Sequence, residues 1–112
     1  MQYALLIYTR KDSMDGYSES ERQAMTAEYM EIRGLPGMVS GAGLQGTETA
    51  TSVRRQDGQT LITDGPFADT KEVFAGFYLM EADDIDAALE VAQRIPAVRL
   101  GGVVEIRPLM EY

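Results

Sequence analysis

Two stretches, Tyr3-Ala-Leu-Leu-Ile-Tyr8 and Val73-Phe-Ala-Gly-Phe-Tyr-Leu-Met-Glu-Ala82, carry apolar side chains at odd and even positions alike. Runs of this length, bounded by polar residues, read as β-strands covered on both faces. In a chain of 112 residues, enough for one domain with one modest core, that demand for cover restricts the fold more than any other feature.

The remaining elements follow from local signals. Ser18-Glu-Ser-Glu21 is a capping box, with Ser18 at the N-cap and Glu21 three positions on. Met25, Tyr29 and Ile32 follow at i, i+4 and i+7 as one stripe of an amphipathic helix, which Gly34, Pro36 and Gly37 end. The segment from Ser40 to Gly65 is rich in Gly and Thr. Within it, "TATSVRRQ" and "QTLIT" flank Asp57-Gly58, a dipeptide suited to the positive φ values of a tight hairpin. Asp83 and Asp84 open a second helix with Ile85, Ala88, Leu89, Ala92 and Ile95 on its apolar face, and Pro96 is expected to stop it. "VVEIRPLM", from Val103 to Met110, is the last strand.

The order β-α-β-β-β-α-β, with the hairpin as an elaboration, predicts an α+β, ferredoxin-like plan: an antiparallel sheet with two helices on one face. Two helices cover one side only. The other would be an apolar patch of a size that soluble monomers avoid. Two arrangements answer this. A homodimer would bring the two sheets face to face with a cleft between them, or the Gly-rich middle segment would fold over the free face. The homodimer is the expected arrangement.

Composition narrows the chemistry. Ten basic against eighteen acidic residues give a net charge of −8, which argues against nucleic acid or an anionic membrane as partner. Cysteine and histidine are both absent. Disulfides, thiol nucleophiles, Ser-His dyads and most transition-metal sites are therefore excluded, and neither a metal nor an organic cofactor is expected. The opening apolar run is too short for a signal peptide or membrane span, and a cytoplasmic location fits the absence of cysteine. "GAGLQG" lacks the strand-to-helix context of a dinucleotide loop.

The stretch "TLITDGPFADTKEVFAGFYLME" closely resembles the signature of the DGPF-motif branch of the YCII-related family. The resemblance extends to "YALLIY", "GAGLQ", "DDIDAALEVAQRIP" and "VEIRP", nearly the whole chain. It implies a small protein of dimeric α/β-barrel type, of a family often encoded beside extracytoplasmic-function sigma factors. It implies a fold rather than an activity. A His–Asp dyad proposed for YCII-related proteins cannot be carried over, because this chain has no histidine and reads Ile95-Pro96 where relatives commonly have Asp-Pro.

Six residues stand out as candidates. Asp64 follows a strand and precedes the Gly65-Pro66 turn; it either accepts hydrogen bonds from backbone amides or serves as a buried acid-base carboxylate. Phe67 either fills space or covers a cleft. Lys71, and Arg107 on the last strand, are candidates to hold an anionic ligand; the alternatives are a solvated Lys71 and an Arg107 that pairs with Glu105 or faces water from an edge strand. Tyr8 and Tyr78 lie on apolar strands, where their hydroxyls need partners, as pocket-lining groups or as core residues with a wet tip. Arg54 and Arg55 read as solvent-facing residues of the hairpin. Two functions result. One is a cofactor-free enzyme doing proton transfer, of isomerase or lyase type, on a small metabolite in the cleft, with Asp64 as acid or base. The other is a non-catalytic dimeric module that binds a ligand or a protein such as a sigma factor.

Overall fold

Four strands form the central sheet of the computed structural model, which describes residues 1–112. They are β1 (Gln2–Arg10), β2 (Met38–Gly43), β5 (Glu72–Glu81) and β6 (Val103–Pro108), in the spatial order β2-β5-β1-β6 with every neighbouring pair antiparallel. Between β2 and β5 the chain makes a separate two-stranded hairpin, β3 (Thr51–Gln56) and β4 (Gln59–Asp64). Helix α1 (Glu19–Arg33) joins β1 to β2; α2 (Ile85–Ala92) and a short α3 (Pro96–Arg99) join β5 to β6. Without the hairpin this is the ferredoxin-like α+β order.

The two strands with apolar residues on both faces, β1 and β5, lie side by side at the centre of the sheet, as that pattern requires. On one face Tyr3, Leu5, Ile7, Tyr78 and Met80 are buried beneath the helices, with Ile32, Ala88, Ile95 and Ala97 packed over them. Val104 and Ile106 of β6 close the same core from the sheet side.

Local signals act where they stand. Ser18 and Glu21 exchange hydrogen bonds in a complete capping box, Ser18 Oγ accepting from the Glu21 amide and Glu21 Oε1 from the Ser18 amide, both at 3.1 Å. The bond to the Ser18 amide holds the Glu21 carboxyl below its ordinary range. Asp84 caps α2, its carboxylate accepting from the Ala87 amide. Asp57 and Gly58 both take positive φ, 51° and 77°, which gives the hairpin a turn that matches the right-handed strand twist.

Two expectations need correction. Met38–Gly43 is a strand of the main sheet, although its two glycines leave little β signal in the sequence. Pro96 does not end the helical region but starts α3 at its first position, where proline's missing N–H costs no hydrogen bond. The chain breaks at Ile95, in extended conformation as a residue before proline prefers. The exposed Arg99 of α3 pairs with Glu28 of α1, which ties the helical layer together.

The opposite face of the sheet carries Leu6 and Tyr8 of β1, Phe77 and Leu79 of β5, and Val103 of β6. The middle segment does not fold over it. The hairpin pairs only with itself and is exposed nearly throughout. One alternative for covering the free face is thereby removed.

Leu5 is fully buried at the centre of the core. Leu5→Ala is expected to lower the unfolding free energy by about 2–5 kcal/mol, and Ser18→Ala by about 1 kcal/mol, in urea denaturation. A Leu5→Ala loss below that of Ser18→Ala would contradict this placement of the core.

Candidate functional site

The Thr63–Glu72 stretch leaves the end of β4 and returns to β5 over the surface. Its turn is tied to the base of the hairpin: the Gly65 amide donates to the Ala50 carbonyl at 2.6 Å, and Ser52 Oγ donates to the Gly65 carbonyl at 2.7 Å. Lys11 anchors the other end through its amide to the Lys71 carbonyl (2.9 Å) and through Nζ to Asp69 (3.2 Å). The result is a polar groove of about 480 Å³ lined by Lys11, Glu48, Asp64, Asp69 and Thr70. Asp64 is exposed there, and its carboxylate accepts no hydrogen bond. In the single chain it therefore neither caps backbone amides nor is buried as an acid-base carboxylate would be. Phe67, 81% exposed, fills no core space, and Lys71 is exposed too.

The other candidates lie elsewhere. Tyr8 is on the free face of the sheet, its ring 5.5 Å from that of Phe74. Arg107 shares that face but lies on the edge strand β6, exposed and opposite Ala4, without a bond to Glu105. Tyr78 points the other way, beneath α1. Of the six residues, Asp64 lines the groove, Phe67 and Lys71 are exposed on the same stretch outside its lining, Tyr8 and Arg107 are on the free face, and Tyr78 is on the helix-covered face. They do not converge on one centre.

A second cavity does converge. Between α1 and the sheet is a pocket of about 440 Å³. Its walls are apolar, among them Ile7, Met25, Met30 and Leu100. Three glycines, Gly41, Gly43 and Gly76, keep its sheet side low. Two of them have no alternative. A Cβ on Gly76 would come within 2.6 Å of the Ala42 carbonyl oxygen, and one on Gly41 within 2.7 Å of the Tyr78 ring. Gly41 of β2 and Gly76 of β5 therefore permit the close β2–β5 approach, and the bare Gly41 and Gly43 weaken the strand signal of β2.

Polar groups enter this pocket at fixed points. The Tyr78 hydroxyl donates to the Tyr29 carbonyl of α1 at 2.7 Å, so the phenol holds helix and sheet together across the cavity. Burial pushes the Tyr78 phenol up to about 12. Burial also raises the Tyr29 phenol, against a smaller opposing effect of the Ala97 backbone. Both are neutral hydrogen-bonding groups near neutral pH, not bases. Arg22 also lines the pocket and donates to the Met14 carbonyl (2.9 Å) and the Tyr17 carbonyl (3.3 Å), which holds the loop before α1 in place. Arg33, at the other end of the helix, lines the pocket with no carboxylate or carbonyl partner. No carboxylate, lysine or histidine lines the cavity. Its chemistry is an apolar body with cations and neutral phenols, suited to holding an anion rather than to removing a proton. The Met25–Tyr29 stripe and the strand glycines were its sequence signals, but neither indicates by itself that α1 stands clear of the sheet.

Comparison with known proteins covers the entire chain. The family model of the YCII-related domain matches residues 1–112. An uncharacterized protein of Rhizobium meliloti (strain 1021) is 35% identical over 120 residues, spanning 100% of this chain and 94% of its own length. Groove and pocket both lie within the matched region.

The displaced Tyr78 titration has a direct consequence. The folded chain keeps this proton where the unfolded chain, with a phenol near its ordinary 10.0, releases it. Stability is therefore at full value below pH 10, falls as pH rises, and loses this contribution by about pH 12. Urea unfolding at steps from about pH 8 to about pH 12 is expected to show that fall. Tyr78→Phe should make it shallower while costing about 1 kcal/mol at neutral pH through the lost hydrogen bond. An unchanged alkaline slope in Tyr78→Phe would refute the assignment.

Proposed function

The chain belongs to the YCII-related family, and from that membership we propose that it is a homodimeric binding protein for a small apolar anion, held in each subunit between α1 and the sheet. The observation that carries this reading is the pocket of about 440 Å³, within the size range of small-molecule sites, with apolar walls and a free guanidinium at Arg33. A carboxylate head beside Arg33 and Arg22, with a hydrocarbon body against Ile7, Met25 and Met30, satisfies both parts of the lining. On this reading Arg33 has the charge-clamp role that the sequence suggested for Lys71 or Arg107. The Asp64-Gly65-Pro66-Phe67 motif supports a place in the DGPF branch, and we read the chain as a bacterial cytoplasmic protein on the absence of cysteine.

Dimerisation supplies the missing cover. Leu6, Tyr8, Phe77 and Leu79 form an apolar face that neither the helices nor the hairpin overlies. Pairing two such faces about a two-fold axis removes both from water, as in a dimeric α/β barrel. Assembly and ligand binding then use opposite faces of one sheet.

A second reading keeps the protein an enzyme. It is favoured by the groove, where Asp64, Glu48 and Asp69 lie together with Lys11, and where a partner subunit closing over an open site would desolvate Asp64. Proton transfer of isomerase or lyase type on a small metabolite would then use Asp64 as base and Lys71 as anion holder. The exposure of Asp64 in the single chain makes this the weaker of the two.

Decanoate and decanol, measured by calorimetry, separate the components of the first reading. Decanoate should bind more tightly than decanol, and Arg33→Met should weaken decanoate about tenfold or more while leaving decanol nearly unchanged, the expected size for a charged hydrogen bond. Equal binding of decanoate by wild type and Arg33→Met would end the anion assignment; Asp64→Asn should not affect it. In sedimentation experiments the wild type should be a dimer and Leu79→Lys a folded monomer. A monomeric wild type would overturn the assembly.

A further inference from the structure

The β3–β4 hairpin is a well-formed element with nothing to pack against. Six residue pairs, from Thr51–Asp64 to Gln56–Gln59, run in register to the Asp57-Gly58 turn, so it is a rigid arm and not a loose loop. It joins no other sheet, and its paired residues Val53 and Ile62 are each 70% exposed on one face. The arm lengthens the molecule instead of thickening it. The radius of gyration is 15.9 Å, against about 13 Å for a compact chain of this length, and the extents are 46 × 44 × 19 Å. A lone two-stranded hairpin is at best marginally stable in water, and exposed valine and isoleucine do not help it. The arm is built to lie on another surface.

Its chemistry indicates which surface. Arg55 shares the face of Val53 and Ile62, and Arg54 lies on the other. Neither forms an ion pair, in a chain whose net charge is −8. Helix α2 presents the complement. Ile85 and Leu89, one turn apart, are 44% and 42% exposed, although the sequence pattern assigns them to the buried stripe. Asp86 and Glu90 follow them directly in the sequence, also exposed and also without a cation. The helix thus carries an apolar pair beside an acidic pair, and the arm an apolar pair with Arg55 beside it.

The geometry points to a clasp between copies of this chain: the β3–β4 arm of one subunit lies on α2 of a second, with Val53 and Ile62 against Ile85 and Leu89, Arg55 beside Asp86 and Glu90, and Arg54 adding positive charge from the arm's outer face. This inference rests on the homodimer reading and adds to it a contact outside the facing sheets. Two-fold symmetry repeats the contact, each subunit giving an arm and receiving one. Binding of a small molecule beneath α1 is not required for it.

Trypsin, which cleaves after arginine, reports the arm's position through Arg54 and Arg55. In the wild-type dimer these bonds should be cut at least about tenfold more slowly than in the Leu79→Lys monomer, because proteolysis follows the population in which the arm is free. Reversing the arm charges (R54E/R55E) should weaken the dimer about tenfold or more, and reversing the helix charges (D86R/E90R) should do the same. The chain carrying all four changes should regain dimer stability, since its charges are again opposed across the contact. These positions are on the surface, and circular dichroism of each variant checks that it folds. A dimer whose arm is cut as fast as the monomer's, or a fourfold variant weaker than either pair alone, overturns the clasp while the sheet-to-sheet dimer stands. A wild type that is monomeric at all concentrations removes both.

Discussion

The pairing of β1 with β5 is the constraint on which the rest of the molecule depends. Nine residues of β1 are matched across to β5, with one irregularity after Ile7, and both strands are apolar on both sides. Once they lie together at the centre, every other element is an answer to the surface they create. The helices bury one side around Leu5, Tyr78 and Met80. The edge strands β2 and β6 complete the width of the sheet, and β6 exposes Glu105 and Arg107 where its outer face meets water. A chain this small has no further element with which to bury the second side. Hydrophobic burial is the main favourable contribution to folding, so a face of this composition left in water is costly.

Much of this architecture was legible along the chain because the relevant forces are local. A capping box depends on two residues three positions apart, and an Asp-Gly turn on two adjacent φ angles. Both formed where the pattern indicated. Strand β2 was hidden because it carries two glycines, and one of them, Gly41, answers to β5, a strand more than thirty positions later in the chain. Pro96 was misread for a related reason. Proline excludes a helix interior but fits a first turn, and only the break at Ile95 decides between these.

The site was less legible than the fold. Asp64 sits at the Gly65-Pro66 turn as the sequence suggests, but its carboxylate accepts no amide bond there, and burial depends on what lies opposite, which nothing of this subunit supplies. Tyr78 was correctly placed on an apolar strand, but period-two alternation does not reveal which face receives the helices. The pocket is harder still to foresee, since it is a distance between α1 and the sheet, held by the Tyr78 hydroxyl on the Tyr29 carbonyl. Such a spacing is a property of packing and has no motif.

The three glycines on the sheet side of that pocket are not equivalent. Gly41 and Gly76 are hemmed in by neighbouring atoms, but a methyl group on Gly43 would meet nothing within 4 Å. Two positions are thus locked by the contact between strands, and the third is free to vary. Related chains can shorten or reshape the chamber at this one point while the strand pairing beneath it stays intact. If the chamber holds a ligand as proposed, selectivity for its length can drift during evolution without a toll on folding.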